Sequence, residues 1–301
     1  MKKYLGFAAI SVLTLSCAND ERNNEYDMHA VNYIGNISGE PSSSSYKTAE
    51  YINQTASGAA SLKPPTGGTI SEIEIYALGA GGGGQGGNRN GTIYVSRGTG
   101  GSGGGGSAAY MKLGNNELKL GKNESVSLSV TVGTGGTGGE PNKNTFETAG
   151  CSGKDGGATT VTWSAKSITL NAPGGSGGGG STTCEGKVVN GGAGGISGTA
   201  NPPNSALYDG NPLFVSGKNG SNGHTDSGES PIAASGGSAA IINKGTLSSF
   251  GGGSGSIRQA GSSNRSAAGN GGGGTSGHMD QAGIKGGNGL VTIVYKYYTE
   301  E

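Results

Sequence analysis

Glycine is distributed very unevenly along this chain. Of its 67 glycines, four precede residue 67 (Gly6, Gly35, Gly39 and Gly58), and 67 minus four leaves 63 between residues 67 and 289. These form dense runs at 79–87, 98–106, 174–180 and 269–277. Glycine offers no side chain for catalysis or for a core, but it lets backbones approach closely. The distribution therefore favours an architectural or recognition role over an enzyme.

The segments between the glycine runs have the pattern of β-strands. Ile73, Ile75 and Ala77 alternate with more polar residues, which predicts a half-buried strand. Residues 126–132 alternate in the same way, residues 161–170 predict a hairpin that turns near 164–165, and residues 290–298 predict a closing strand. Weaker candidate strands lie at 108–113, 213–215 and 239–242, and no segment after residue 17 has helical periodicity.

The glycine runs themselves are predicted to be ordered. Glycine and proline together make up 76 of 301 residues (67 plus nine), which is near the composition of disordered chains. Zero net charge and the bracketing of each run by strands favour order instead. Extended left-handed polyglycine helices, with three residues per turn, can pack side by side through N–H···O=C and Cα–H···O contacts. Collagen is excluded because glycine does not recur strictly at every third residue.

The first 17 residues indicate export. Lys2 and Lys3 precede an apolar stretch at 5–15 that is too short to span a bilayer, and Ser16 and Cys17 follow at once. This resembles a bacterial lipoprotein signal in which Cys17 is lipidated, although Thr14 stands where that pattern prefers leucine. An ordinary secretory signal is the alternative. We expect an outer-membrane or cell-surface lipoprotein with a signal peptide at 1–16, a lipid anchor and flexible tether at 17–66, and a glycine-rich β domain at 67–298.

Two cysteines remain once Cys17 is set aside. Cys151 and Cys184 are an even pair in a compartment that allows disulfides, so we predict that they are bonded to each other. Two free thiols are the alternative. The three histidines (His29, His224 and His278) lie near neither cysteine in the sequence, and no metal site is predicted.

Several segments resemble one known family. The segment 73–84 (IEIYALGAGGGG) is similar to the opening strand of the glycine-rich domain of bacterial surface proteins, phage tail adhesins and anaplastic-lymphoma-kinase-type receptor ectodomains. Further segments follow in the family's order at 103–110, 119–133, 172–175 and 286–295. The resemblance covers residues 67–298. It implies an all-β, jelly-roll-like β-sandwich with inserted polyglycine helices, a role in adhesion or ligand recognition, and no catalytic residues.

Other functional motifs fail on their context. The segment 79–84 fits the glycine pattern of dinucleotide-binding loops, but no helix pattern follows it and no acidic residue occurs between Glu74 and Glu117. The aspartates have no period that would suit calcium-binding repeats, and 20 basic residues balance 20 acidic ones. We therefore predict no cofactor and no nucleic-acid partner.

Two insertions between the glycine runs are candidates for ligand binding. Both combine aromatic with polar side chains, which suits sugar or protein surfaces, and loops on a rigid scaffold commonly carry binding. The candidate residues are Arg89, Tyr94 and Arg97 in the first and Tyr208, Asp209 and Phe214 in the second. Alternatively, Tyr94 is a strand residue, and Tyr208 and Phe214 cover the sandwich edge.

Taken together, the sequence predicts a non-enzymatic surface lipoprotein, held on the membrane by its lipid, that binds an extracellular polymer, glycan or protein. A self-associating coat or filament protein that uses strand edges is the second hypothesis. An ice-binding protein is the third.

Overall fold

A computed structural model describes residues 48–87, 100–141, 151–179, 192, 194–195, 198–201, 212–223, 234–256, 267–277 and 281–299. These residues are almost entirely β-structure and glycine-rich extended chain, so the predicted all-β class is confirmed. In chain order the elements are β1 (Thr48–Gln54), β2 (Gly58–Leu62), β3 (Gly68–Leu78), β4 (Ala108–Leu113), α1 (Asn115–Leu118), β5 (Val126–Thr131), β6 (Thr159–Trp163), a 3₁₀ turn (Ser164–Lys166), β7 (Ile168–Ala172), β8 (Thr199–Asn201), β9 (Leu213–Val215), β10 (Ile241–Ile242), β11 (Phe250–Gly251) and β12 (Leu290–Thr299).

Two antiparallel five-stranded sheets pack face to face. Sheet A has the strand order β1-β12-β3-β4-β9, and sheet B has the order β2-β5-β6-β7-β8. The core between them contains Ile75 and Met111 from sheet A and Leu128, Trp163 and Leu170 from sheet B, all buried. The strands β10 and β11 form a separate short hairpin.

Alternating residues locate most strands correctly. Strand β5 alternates buried and exposed residues along its whole length, and the hairpin of β6 and β7 turns at Ser164–Lys166, as predicted. Of the weaker candidates, β4 and β9 have their predicted bounds, whereas β10 is limited to Ile241–Ile242. The one-turn helix α1 was not predicted, because four residues are too few to establish a helical period.

The prediction of a half-buried strand at residues 73–77 is wrong. Strand β3 is buried on both faces: Ile73 and Ile75 face the sandwich core, while Tyr76 and Leu78 enter a second apolar cluster with Ile242 and Phe250. The reason is that the segment around β10 and β11 covers the outer face of sheet A.

The tether predicted at 17–66 includes residues that are folded. Strand β1 pairs with β12 over Thr48–Gln54, and β2 pairs with β5 over Gly58–Leu62. Ala60 and Leu62 are buried in the main core, which stabilises this segment in a way that its polar composition does not indicate. The folded domain therefore begins before residue 67, and the rest of the predicted tether, residues 17–47, lies outside the described residues.

The glycine runs pack as extended helices with a period of three. Along 79–87, the amides of Gly81, Gly84 and Gly87 donate to one neighbouring segment, at the carbonyls of Gly287, Ile284 and Gln281. The amides one residue further along, at Gly82 and Gln85, donate to residues 101–107. Those two residues further along, at Gly83 and Gly86, donate to residues 151–157. The carbonyls of the same run accept from 136–139, 175–178 and 274–277. Six segments thus surround this run, in the manner of packed polyglycine helices with three residues per turn.

Close packing leaves no space for a side chain at many glycine positions of this bundle. A Cβ added at Gly82, Gly103 or Gly178 would lie closer than 3.0 Å to a backbone carbonyl oxygen of a neighbouring segment. The predicted polyglycine packing is therefore confirmed for the described residues. Because glycine alone permits this approach, the bundle explains why the described runs are rich in glycine.

The bundle continues directly from one end of the sandwich. Strand β3 leads into 79–87, and 100–107 returns the chain into β4; in the same way β5 leads into 133–141 and 151–157 returns it into β6. At a rise of about 3.1 Å per residue, the run 79–87 extends about 25 Å away from the sandwich. We call the end that it reaches the far end of the bundle.

Candidate functional site

Five excursions of the chain begin and finish at the far end of the bundle. The described residues on either side of them are Gly87 and Gly100, Pro141 and Cys151, Gly179 and Gly192, Gly223 and Ala234, and Gly277 and Gln281. In each case an outgoing segment of the bundle is followed by a returning one. The far end is therefore the place where the rigid part of the molecule holds the most loop attachments.

Hydrogen bonds fix these attachment points relative to one another. The Gly86 amide donates to Cys151 O at 2.9 Å, and the Gly87 amide donates to Gln281 O at 2.9 Å. Ser102 joins two further segments, since its Oγ donates to Ser235 O at 2.6 Å and its carbonyl accepts from the Gly192 amide at 2.6 Å. The attachment points thus belong to one hydrogen-bonded lattice rather than to separate flexible segments.

Uncharged polar side chains occupy the interior of this end. Gln85 is 2% exposed, and its Oε1 accepts a hydrogen bond from the Gly101 amide at 2.9 Å. Among the described residues, the buried atoms Ser152 Oγ and Gln281 Oε1 have no hydrogen-bond partner. Cys151 is disulfide-bonded. Cys184 lies outside the described residues, so the pairing of these two cysteines stays a prediction.

The described residues that flank the two predicted sets of ligand-binding residues lie at opposite ends of the molecule. Arg89, Tyr94 and Arg97 lie outside the described residues, but the chain on either side of them, at Gly87 and Gly100, is at the far end. Tyr208 and Asp209 also lie outside the described residues. Their nearest described neighbours are at the ends of β8 and β9 that point away from the bundle, because Asn201 pairs with Thr169 and Leu213 with Tyr110. The structure does not bring the attachment points of the two sets together.

Phe214 is described and has contacts of its own. It lies in the edge strand β9 opposite Ala109, is partly buried, and packs against the main core. Its Cδ1 would be 2.7 Å from a Cβ added at Gly198, so the aromatic ring rests against the glycine backbone. These contacts agree with the alternative that Phe214 covers the sandwich edge, and its role in ligand binding stays a prediction.

The lipidation site and the signal peptide are not part of the described structure. Cys17 lies in the region before residue 48, outside the described residues. In the ranges that are described, no helix has the length and apolar character needed to cross a membrane. Within those same ranges, no group of three or more histidine, cysteine, aspartate or glutamate side chains is arranged to hold a metal ion.

A buried carboxylate that sequence reasoning missed lies under the segment 244–247. Glu74 is 3% exposed, and its Oε2 accepts hydrogen bonds from the Tyr76 hydroxyl at 2.6 Å and from the Thr246 amide at 2.7 Å. Burial, together with the hydrogen bond to Glu74, raises the pKa of Tyr76. Gly245 has φ +78°, and a Cβ there would lie closer than 3.0 Å to Glu74 Oε2 and both tyrosine hydroxyls (Tyr76 and Tyr110). This cluster fixes the 244–247 turn onto sheet A.

A second ionic cluster lies on the same face of sheet A. Glu72 bridges two strands, with Lys112 Nζ at 3.0 Å from Oε2 and Lys296 Nζ at 2.6 Å from Oε1. Burial raises the pKa of Glu72, but the hydrogen bonds and charges of the two lysines outweigh burial and hold that pKa below its usual value. Both clusters stabilise the sheet, and neither is placed at the far end of the bundle.

Comparison with known proteins supports the architecture. Comparison with curated protein sequences finds no match to the chain. The family model described as the glycine-rich domain matches residues 54–296, which is most of the 301-residue chain. The matched region begins at the end of β1 and finishes within β12, so it covers both the sandwich and the bundle. The chain therefore belongs to the glycine-rich domain family.

Proposed function

We propose that this protein is a recognition protein that binds an extracellular glycan or protein through the loops at the far end of its polyglycine bundle. The observation that carries the proposal is the convergence of five loop attachments on one rigid surface. A lattice of backbone hydrogen bonds keeps such attachments in fixed positions, so less conformational entropy is lost when a ligand binds. Loops held by a rigid scaffold are a common location for binding sites.

The chemistry of one loop suits this role. Residues 88–99 contain Arg89, Tyr94 and Arg97 and connect two far-end residues, Gly87 and Gly100. A tyrosine ring offers a flat apolar surface with a polar edge, and arginine offers several hydrogen-bond donors in a planar group. This combination fits the faces and hydroxyls of sugars or the polar surface of a protein.

The proposed cellular setting follows from the first 17 residues. In this proposal Cys17 carries lipid, the chain after it spans the distance from the membrane, and the sandwich holds the bundle outward. The resemblance to the glycine-rich domains of phage tail adhesins and receptor ectodomains supports the same arrangement. The mechanism needs no catalytic group, since location, reach and loop chemistry together produce binding.

Binding of residues 18–301 to a panel of soluble glycans, insoluble polysaccharides and whole cells tests the proposal. All described residues lie after residue 47, so this fragment keeps the entire described structure. We expect saturable binding to at least one member of the panel. Arg89→Ala and Tyr94→Ala should each weaken it by about tenfold or more, because each removes a contact typical of binding hot spots.

Tyr208→Ala provides a matched control. It makes the same change in a loop whose described neighbours lie at the opposite end of the sandwich, so affinity should be unchanged. Binding that is lost with Tyr208→Ala and kept with Tyr94→Ala would contradict a far-end site. An absence of binding across the whole panel would contradict the recognition function itself.

A further inference from the structure

We propose that β1 and β2 together form a dimerisation edge, on which a second copy of this chain pairs strand to strand. This inference is independent of the proposed ligand site at the far end. It concerns the side of the sandwich where the chain crosses from sheet A to sheet B. Strands β1 and β2 are joined by three residues, 55–57, and each is the first strand of its sheet.

Both strands have one side open to pairing. Within the described residues β1 pairs only with β12, and β2 pairs only with β5. An edge strand presents a row of unpaired backbone N–H and C=O groups, which fit another extended backbone. Soluble proteins commonly protect such edges with lysine, proline, a bulge or a very short strand.

Lysine, proline and a β-bulge are all absent from β1 and β2, and Glu50 is their one charged side chain. Strand β1 has seven residues, which is longer than the typical five or six, and its register with β12 is unbroken from Thr48 to Gln54. The sequences TAEYINQ and GAASL contain no lysine, arginine or proline. Tyr51 is 41% exposed, which makes it one of two exposed large hydrophobic residues in the described structure.

The single charge on this edge is compatible with self-pairing. Glu50 is the only side chain in the two strands that is charged at neutral pH, and its Oε2 accepts a hydrogen bond from the Tyr295 hydroxyl. A two-fold axis through Tyr51 places Glu50 opposite Ile52 of the second copy, so the two glutamates do not face each other. Antiparallel pairing about this axis also brings the two Tyr51 side chains together, and cross-strand aromatic pairs stabilise sheets.

One axis serves both sheets. A two-fold axis perpendicular to the stacked sheets pairs β1 with β1 of the second copy and β2 with β2 of the second copy. Each five-stranded sheet is then continued into a ten-stranded one, and the contact is a closed isologous interface. A second copy is favoured over an unrelated peptide because both edges, on two different sheets, are matched at once.

Sedimentation velocity of residues 18–301 from micromolar to near-millimolar concentration tests this proposal. We expect a concentration-dependent monomer–dimer equilibrium. The double variant Tyr51→Lys with Ala59→Lys should weaken dimerisation at least about tenfold, because the symmetry brings like charges together. Ile241→Lys is the matched control, since Ile241 is the other exposed large hydrophobic residue and lies away from this edge. That variant should dimerise as the parent does.

Cysteine cross-linking directly tests the predicted register between the two β1 strands of the dimer. Tyr51→Cys should form a disulfide-linked dimer on oxidation, since directly opposite residues on paired strands have Cβ atoms about 4.5–5.5 Å apart. Ile241→Cys should not. A chain that stays monomeric at every concentration, or a dimer that is insensitive to the lysines on β1 and β2, would overturn the proposal. Loss of dimerisation without loss of ligand binding would leave the far-end site intact, so the two proposals fail separately.

Discussion

The packed bundle makes a sharp prediction for single methyl groups. At Gly82 a Cβ would point at the carbonyl oxygen of Ser176, at a separation under 3.0 Å. At Gly58, in β2, a Cβ would meet nothing within 4 Å. Gly82→Ala and Gly58→Ala therefore make the same chemical change in tightly packed and in open surroundings.

The magnitude follows from the hydrogen bonds next to Gly82. A methyl group there requires the run 79–87 and the segment 173–178 to separate by about 1 Å, which takes two N–H···O bonds out of hydrogen-bonding range. Those bonds join Gly175 N to Ala80 O and Gly178 N to Gly83 O, both at 2.9 Å. Losing each of these two buried bonds costs about 1–3 kcal/mol, so Gly82→Ala should destabilise the fold by about 2–6 kcal/mol.

Thermal unfolding of residues 18–301 measures this difference. Trp163 is 5% exposed, so its fluorescence reports loss of the core. For a domain of this size, 1 kcal/mol lowers the Tm by about 2–4 °C, so Gly82→Ala should lower it by at least about 4 °C. Gly58→Ala should change the free energy of unfolding by less than about 1 kcal/mol, in the stabilising direction if at all. Equal melting temperatures for the two variants would refute the packed-bundle reasoning.

Three further predictions concern other parts of the chain. Gly245→Ala should release the 244–247 turn from sheet A, because φ is +78° and the methyl would meet Tyr76 and Glu74. Limited proteolysis should then cleave the turn faster. An unchanged cleavage rate would argue that this cluster does not hold the turn in place. The ion pairs of Glu72 should be fully stabilising above the ordinary carboxyl pKa of 4.5 and be lost as pH falls through the lower pKa of the folded state. Glu72→Gln should therefore make the stability of the protein fall less steeply as pH is lowered. A variant as acid-sensitive as the parent would contradict this. Cys17→Ala should move the protein from the membrane to the soluble fraction, and retention on membranes after fractionation would count against lipid anchoring.

The sequence predicts the position of a strand best where one face of the strand is exposed to solvent, because apolar and polar residues then alternate. Strand β5 alternates valine and leucine with serine and threonine, and its burial alternates with them. Strand β3 was placed correctly, but Glu74 was expected to be exposed. Its covering residue, Thr246, is 172 positions away, and no local pattern reports a contact at that separation. Strands β1 and β2 were missed because edge strands need few apolar residues, and TAEYINQ resembles a polar linker.

The sequence predicts that the glycine runs pack closely, but it does not predict which runs lie side by side. Glycine runs between strands indicate close backbone packing, and the structure confirms it. Which run lies beside which cannot be deduced, because glycine has no side chain to distinguish one neighbour from another. For that reason the insertions that contain Arg89 and Tyr208 are equally good candidates from sequence alone. In the structure, the nearest described neighbours of these two residues lie at opposite ends of the molecule.

Hydrogen–deuterium exchange with and without a bound ligand tests the central claim most directly. The ligand is whichever panel member residues 18–301 bind saturably. We predict slower exchange in peptides that span the far-end attachments, from Gly87 to Gly100 and from Pro141 to Cys151, with no change in β8 or β9. Protection confined to peptides around β8 and β9, with the far end unchanged, would contradict a binding site at the far end of the bundle.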